Sequence, residues 1–230
     1  MPIRLDAPTG NGTIPIATPI AEDAMPATRR LLLAALPSLL VAPVLVAQPL
    51  RAQPSDPRMA ERSLGQADAR VVVTEWFSLT CTHCAAFQKE TFPQVRAKLI
   101  DTGRVRYVWR DFPLDQVALT AAMAARTLPP ERYEPFITVL LGSQDRWAFA
   151  RGVNSTEELA KFAALAGLSR AGFDAAISDA ELKRAILTDQ DLGEKKFGVN
   201  STPSFVMNGK TTSGAVSFDD FAKAVDAAAS

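Results

Sequence analysis

The chain has 230 residues, of which 47% are hydrophobic, and its 25 lysines and arginines are balanced by 25 aspartates and glutamates. That length leaves room for one domain of about 150–200 residues with its own apolar core, plus a segment at one end. With no net positive charge to match phosphates, the composition argues against a nucleic-acid partner.

Residues 1–24 read as an N-terminal extension. They carry Glu22 and Asp23, show no periodicity, and make Met25 the more natural start. From there Thr28-Arg29-Arg30 leads into the uncharged run LLLAALPSLLVAPVLVA, residues 31–47, the pattern of an export signal. As a membrane span the run falls short of the roughly 20 residues needed, and Pro37 and Pro43 interrupt a helix. Segment 25–52 is therefore expected to direct export, either cleaved after Ala47 or Ala52 or kept as an anchor through residues 31–47. The paired arginines leave the twin-arginine and general routes both open. A periplasmic or otherwise extracytoplasmic location follows, where disulfides persist. Residues 53–62, polar and proline-bearing, read as a linker.

The β-branched and aromatic run Val71-Val72-Val73-Thr74-Glu75-Trp76-Phe77 predicts a buried strand that leads into CTHC at 81–84. From Cys81 the pattern turns helical, with Ala85, Phe87, Val95 and Leu99 apolar, and Pro93 should interrupt it. A second strand is predicted at Val105–Trp109, with RDFPLD leaving the sheet at Pro113. Residues 116–196 read as helical throughout: 116–127, then 131–141 beyond Pro129-Pro130, a third helix opened by a capping box at Ser155-Thr156-Glu157-Glu158, then 169–178 and 180–195. The chain returns to sheet as a hairpin, SFVM and KTTS joined by Asn208-Gly209. Ser217 should cap a last amphipathic helix through Phe218, Phe221, Ala222 and Val225. The order is β-α-β, a long helical insertion, then β-β-α, an α/β architecture.

CTHC holds both cysteines and the one histidine of the chain. Zinc wants four ligands, and three neighbouring residues with no further cysteine or histidine cannot close such a site. A disulfide across so short a loop removes little unfolded-state entropy, so a purely structural role gains little. Redox exchange uses the spacing better. Residues three apart share a helix face, so Cys81 and Cys84 can reach disulfide geometry. The helix N-terminus lowers the pKa of Cys81, expected at the exposed helix start with Cys84 facing inward, and the thiolate is the attacking form. His83 is either a plain surface residue or an imidazole that further favours the Cys81 thiolate.

SLGQADARVVVTEWFSLTCTHCAAF, RDFPLD and GVNSTPSFVMNG together resemble the DsbA family of extracytoplasmic thiol-disulfide oxidoreductases, over roughly Ser63 to Ala228. The resemblance implies a thioredoxin-like fold over 63–230 with an all-helical insertion at about 116–196. It makes Cys81 the nucleophile and Cys84 the resolving cysteine. It makes Pro203 a cis-proline, with Thr202 before it facing the CxxC, exposing backbone for a substrate chain. Glu75 matches a buried acid beneath the active site that passes protons to or from Cys84; a glutamate at an exposed strand end is the other reading. No cofactor and no metal are implied. Client proteins with reduced cysteines, a membrane redox partner that re-oxidises the protein, and a monomeric state are. Thr82 stands where the best-known relatives have proline, and the dipeptide between the cysteines tunes the potential. Other readings use the same two cysteines in a soft-metal binding protein or metallochaperone, or in a client-specific reductase.

Overall fold

A run of three valines, Val71–Val73, followed by Thr74 favours extended chain, and it forms the middle of a five-stranded sheet in this computed structural model, which describes residues 56–230. The extension 1–24, the segment 25–52 with its apolar run 31–47, and residues 53–55 of the expected linker lie outside the described residues. The strands are β1 (Arg62–Leu64), β2 (Val71–Phe77), β3 (Val105–Asp111), β4 (Ser204–Met207) and β5 (Lys210–Ser213), in the order β1-β3-β2-β4-β5. β2 and β3 are parallel and every other pairing is antiparallel.

Two strand assignments differ from the sequence reading. β1 occupies the end of the stretch read as linker, after a 3-10 turn at Pro57–Met59 whose first N–H is capped by Asp56. It is too short to show an alternating pattern. β3 runs two residues past Trp109, because Arg110 and Asp111 continue the parallel register opposite Trp76 and Phe77. The hairpin is as expected, with Asn208 (φ 47°) and Gly209 (φ 76°) both at the positive φ that a tight hairpin turn of this kind requires.

Alternation along β2 divides the core. Val71, Val73, Glu75 and Phe77 face one side, covered by α1 (Thr82–Glu90), α2 (Phe92–Val95) and, after the insertion, the C-terminal helix. Helix α1 is C-capped by Thr91; Pro93 sits in the first turn of α2, where its missing N–H costs nothing, and a π-helical turn follows at Arg96–Ile100. The insertion comprises α3 (Gln116–Thr127), α4 (Pro130–Leu141), α5 (Gln144–Trp147), α6 (Ser155–Leu165), α7 (Arg170–Ser178) and α8 (Ala180–Phe197). The cap of α6 is Asn154 rather than Ser155: its Oδ1 accepts from the N–H groups of Thr156 and Glu157 at 2.9 and 3.3 Å. The short α5 is absent from the sequence reading. Helix α8 covers the other side of the sheet, where Gly193 lies so close to Trp76 that a Cβ would come within 2.8 Å of the indole. Ser217 caps α9 (Phe218–Ala229), whose Phe221 and Val225 return to the first face.

Candidate active site

Strand β2, in the middle of the sheet, ends at Phe77, and Ser78 to Thr80 carry the chain from its carboxyl end into α1. Cys81 is not in the first helical turn, as the spacing predicts, but is the N-cap, with extended backbone (φ −80°, ψ 119°). This places its sulfur where a capping oxygen usually sits, accepting the Cys84 N–H at 3.3 Å. The thiol donates to the Thr202 carbonyl at 3.2 Å, and the Thr202–Pro203 peptide is cis. Because its sulfur is turned in beneath this loop, Cys81 is only 7% exposed, in contrast to the exposed helix start expected; Cys84 is fully buried. Both cysteines are thiols.

The two sulfurs are driven apart in acidity. The Cys81 pKa falls from 9.0 to about 5, chiefly through the Cys84 thiol hydrogen bond, against the cost of burial; the Thr202 side chain and the backbone N–H groups of Cys84 and His83 add to it. The Thr202 hydroxyl makes no hydrogen bond by distance in the dithiol. Of His83 it is the backbone N–H that bears on Cys81, while the residue itself is exposed. Cys84 is pushed well above 9.0 by burial first, then by its bond to Cys81 and the charge of Glu75.

Glu75 is 3% exposed, on the inner face of β2 opposite Trp109 and Phe205. This is the buried acid of the sequence expectation, not a strand-end glutamate. Burial raises its pKa from 4.5 to about 8, opposed by a 2.9 Å hydrogen bond from the Tyr107 hydroxyl and reinforced by the charge of Cys81. The Trp109 indole N–H also favours the carboxylate, although by geometry it makes no hydrogen bond. Tyr107 is pushed well above 10 by burial and then by Glu75.

Sequence reasoning missed three further participants. Tyr107 reads as a strand residue and nothing more. Asp115 accepts from the Thr80 hydroxyl at 2.7 Å and caps α3 through the Ala118 N–H; its place just ahead of an apolar helix is a legible cap signal, but its hold on Thr80 is not. Gln144 donates to the carbonyls of Leu79 and Cys81 at 2.8 and 3.0 Å, and nothing in its neighbourhood of the sequence marks it. Among the described residues no group of three His, Cys, Asp or Glu side chains converges to hold a metal. A cavity of about 1090 Å³ lined by Arg58, Arg110, Arg184 and Asp189 includes none of the site residues.

The arrangement pairs a thiolate at neutral pH with a buried partner that holds its proton, beside an acid that is itself protonated near pH 7. The family model described as Thioredoxin matches residues 58–227. The crystal structure of Wolbachia pipientis alpha-DsbA1 superposes with a TM-score of 0.68 at 30% identity, covering 74% of this chain and 92% of that one. A thioredoxin-like oxidoreductase from Silicibacter pomeroyi is 27% identical with a TM-score of 0.59, covering 75% and 93%. A Rickettsia typhi protein provisionally named a protein-disulfide oxidoreductase is 32% identical over 166 residues, 72% of this chain, and the match spans 60% of that relative's length. With the family model matching about three quarters of the chain and the fold shared with a DsbA protein at 30% identity, the chain belongs to the DsbA-type thiol-disulfide oxidoreductase family of the thioredoxin fold.

Proposed function

We propose that this protein is an exported thiol-disulfide oxidoreductase that oxidises cysteines of client proteins, with Cys81 as nucleophile and Cys84 as resolving cysteine. The observation that carries this reading is the geometry of the pair: Cys81 Sγ caps α1 by accepting the Cys84 N–H at 3.3 Å and lies 3.2 Å from the Thr202 carbonyl at the cis Thr202–Pro203 bond, with Cys84 fully buried, an arrangement that drives the two sulfurs apart in acidity. A client thiolate attacks Sγ of Cys81 in the disulfide form, the Cys81–Cys84 bond breaks, and Cys84 leaves and takes a proton. Glu75, protonated at neutral pH and electrostatically coupled to Cys84, is the acid that supplies it. A second client thiolate then attacks the client sulfur of the mixed disulfide. Cys81 departs as a stabilised thiolate, and two electrons have moved from the client to the CxxC. The Thr202 carbonyl and Pro203, beside the Cys81 sulfur, offer the backbone against which an extended client chain lies.

In this reading segment 25–52 exports the chain, with 31–47 as the alternative anchor, and the protein works outside the cytoplasm as a monomer. Among the described residues no helix is long and apolar enough to cross a membrane. A membrane redox partner takes the two electrons and restores the disulfide. The reduction potential of the Cys81–Cys84 couple, measured against glutathione, tests the direction. A value clearly above thioredoxin's roughly −270 mV is expected, and below the strongest oxidants because Thr82 replaces proline. A value at or below thioredoxin's makes the protein a client-specific reductase instead.

A further inference from the structure

The insertion holds the catalytic loop at three consecutive residues. Asp115, at the start of α3, takes the Thr80 hydroxyl, while Gln144 of α5 takes the carbonyls on either side of it. Gln144 is 7% exposed, and a single Nε2 donates to Leu79 O at 2.8 Å and Cys81 O at 3.0 Å. The Cys81 carbonyl already accepts the first helical N–H, from Ala85 at 3.1 Å, so Gln144 fills its second lone pair. A neutral amide with two hydrogens splayed from one nitrogen fits two carbonyls. A carboxylate in the same place would bring none.

We infer that Gln144 is a positioning residue through which the helical insertion sets the acidity of Cys81, an inference that rests on Cys81 being the exchanging thiol. The negative end of the Cys81 carbonyl dipole belongs to the residue that carries the thiolate, and an N–H donated to that oxygen offsets its repulsion of the sulfur. The same bond fixes the N-cap geometry in which the sulfur receives the Cys84 N–H. At a site this buried, water does not replace a lost donor without the loop opening. The Gln144 amide therefore adds, through the Cys81 carbonyl, to the stabilisation that the Cys84 N–H gives the sulfur directly.

The test is thiolate titration of the reduced full chain, followed by absorbance at 240 nm and by iodoacetamide rate, in wild type, Gln144→Met and Gln144→Glu. Gln144→Met keeps the shape and removes the donor. Its midpoint should rise by about half a pH unit, and alkylation at a pH below the midpoint should slow about threefold. Gln144→Glu should raise the midpoint further once its carboxyl ionises against the two carbonyls. A folded Gln144→Met protein with the wild-type midpoint assigns Gln144 to packing alone and overturns the inference. If Gln144→Met does not fold, an unshifted Gln144→Glu midpoint overturns it equally. Oxidation of a dithiol peptide by wild type is measured alongside: its absence defeats the proposed function, and the titration still decides the role of Gln144.

Discussion

Strands β2 and β3 each bury an acid on the same face of the sheet, and the fold treats the two in opposite ways. Asp111 accepts from Nε of Arg126 at 2.5 Å and from the Tyr133 hydroxyl at 3.3 Å. Arg126 is wholly buried and spends its other nitrogens on the carbonyls of Ala60 and Trp109 at 3.1 and 3.5 Å. Burial alone would weaken its charge, but Asp111 more than reverses this and the guanidinium stays ionised. Glu75, one strand over and two register positions back, receives a phenol and no cation. The Asp111–Arg126 pair ties β3, α3, α4 and the turn before β1 together. An acid given only a phenol keeps its proton near neutral pH and can part with it. The first arrangement holds the insertion to the sheet; the second, in the proposed mechanism, serves the sulfurs.

The largest expected effect breaks the structural half of the contrast. Arg126→Met leaves Asp111 buried without its cation, and should cost about 3–5 kcal/mol in urea unfolding. Adding Asp111→Asn should restore much of that loss. A single variant that loses less than about 1 kcal/mol would mean that Asp111 is as free of its partner as Glu75 is, and the contrast would fail.

The second prediction sharpens the contrast through pH. A carboxyl whose folded pKa is raised, from 4.5 to about 8, binds a proton in the folded state that the unfolded chain has lost, so stability falls as pH rises across that window. Cys81, lowered from 9.0 to about 5, acts oppositely: its contribution is complete above 9.0 and is lost as pH falls through 5. In the reduced protein the two slopes offset between pH 5 and 8. The disulfide form has no Cys81 thiol, so the Glu75 slope stands alone there, over a narrower window because the Cys81 charge no longer raises it. The oxidised protein should therefore lose stability with rising pH by up to about 1.4 kcal/mol per unit, while the reduced protein changes little. Glu75→Gln should flatten the oxidised profile, and it should slow mixed-disulfide formation about tenfold by removing the acid for Cys84. Melting curves of both redox forms from pH 5 to 9 decide this; parallel profiles would remove Glu75 from the site.

The contrast also shows where the sequence is legible. Runs whose local chemistry and burial agree were readable: the valines of β2, the Asn-Gly hairpin, Ser217 at α9, and the helices on either side of Pro129-Pro130. The buried position of Glu75 was legible because a carboxylate in an apolar strand is costly, while the roles given to Cys81, Cys84 and Glu75 came from the family resemblance. Groups that act across long separations were not. Tyr107 lies 32 residues from Glu75 and Gln144 lies 63 from Cys81, and neither breaks a local rule that would expose it. For the same reason nothing in the sequence marks Arg126, although no charged side chain among the described residues is more buried.

The smallest expected effect concerns the phenol itself. Tyr107→Phe keeps the ring against Phe92 and Trp109, with centroids at 5.1 and 5.2 Å, and removes only the donor to Glu75. Since that hydrogen bond favours the carboxylate, its loss should raise the Glu75 pKa further in both redox forms, above about 8 in the dithiol and above the lower value of the disulfide form. Near pH 7 the acid is protonated in both proteins, so the stability cost is that of one buried hydrogen bond, about 1 kcal/mol. The kinetic signature is different in kind. The rate at which a small thiol opens the Cys81–Cys84 disulfide should decline through an alkaline limb as Glu75 loses the proton it gives to Cys84, and in Tyr107→Phe that limb should move to higher pH with the neutral rate nearly unchanged. A limb that stays in place while stability drops would leave Tyr107 a packing residue. A limb that moves with it shows why an arginine is absent here: a cation like Arg126 beside Glu75 would hold the carboxylate ionised across the whole working range and leave Cys84 without its acid.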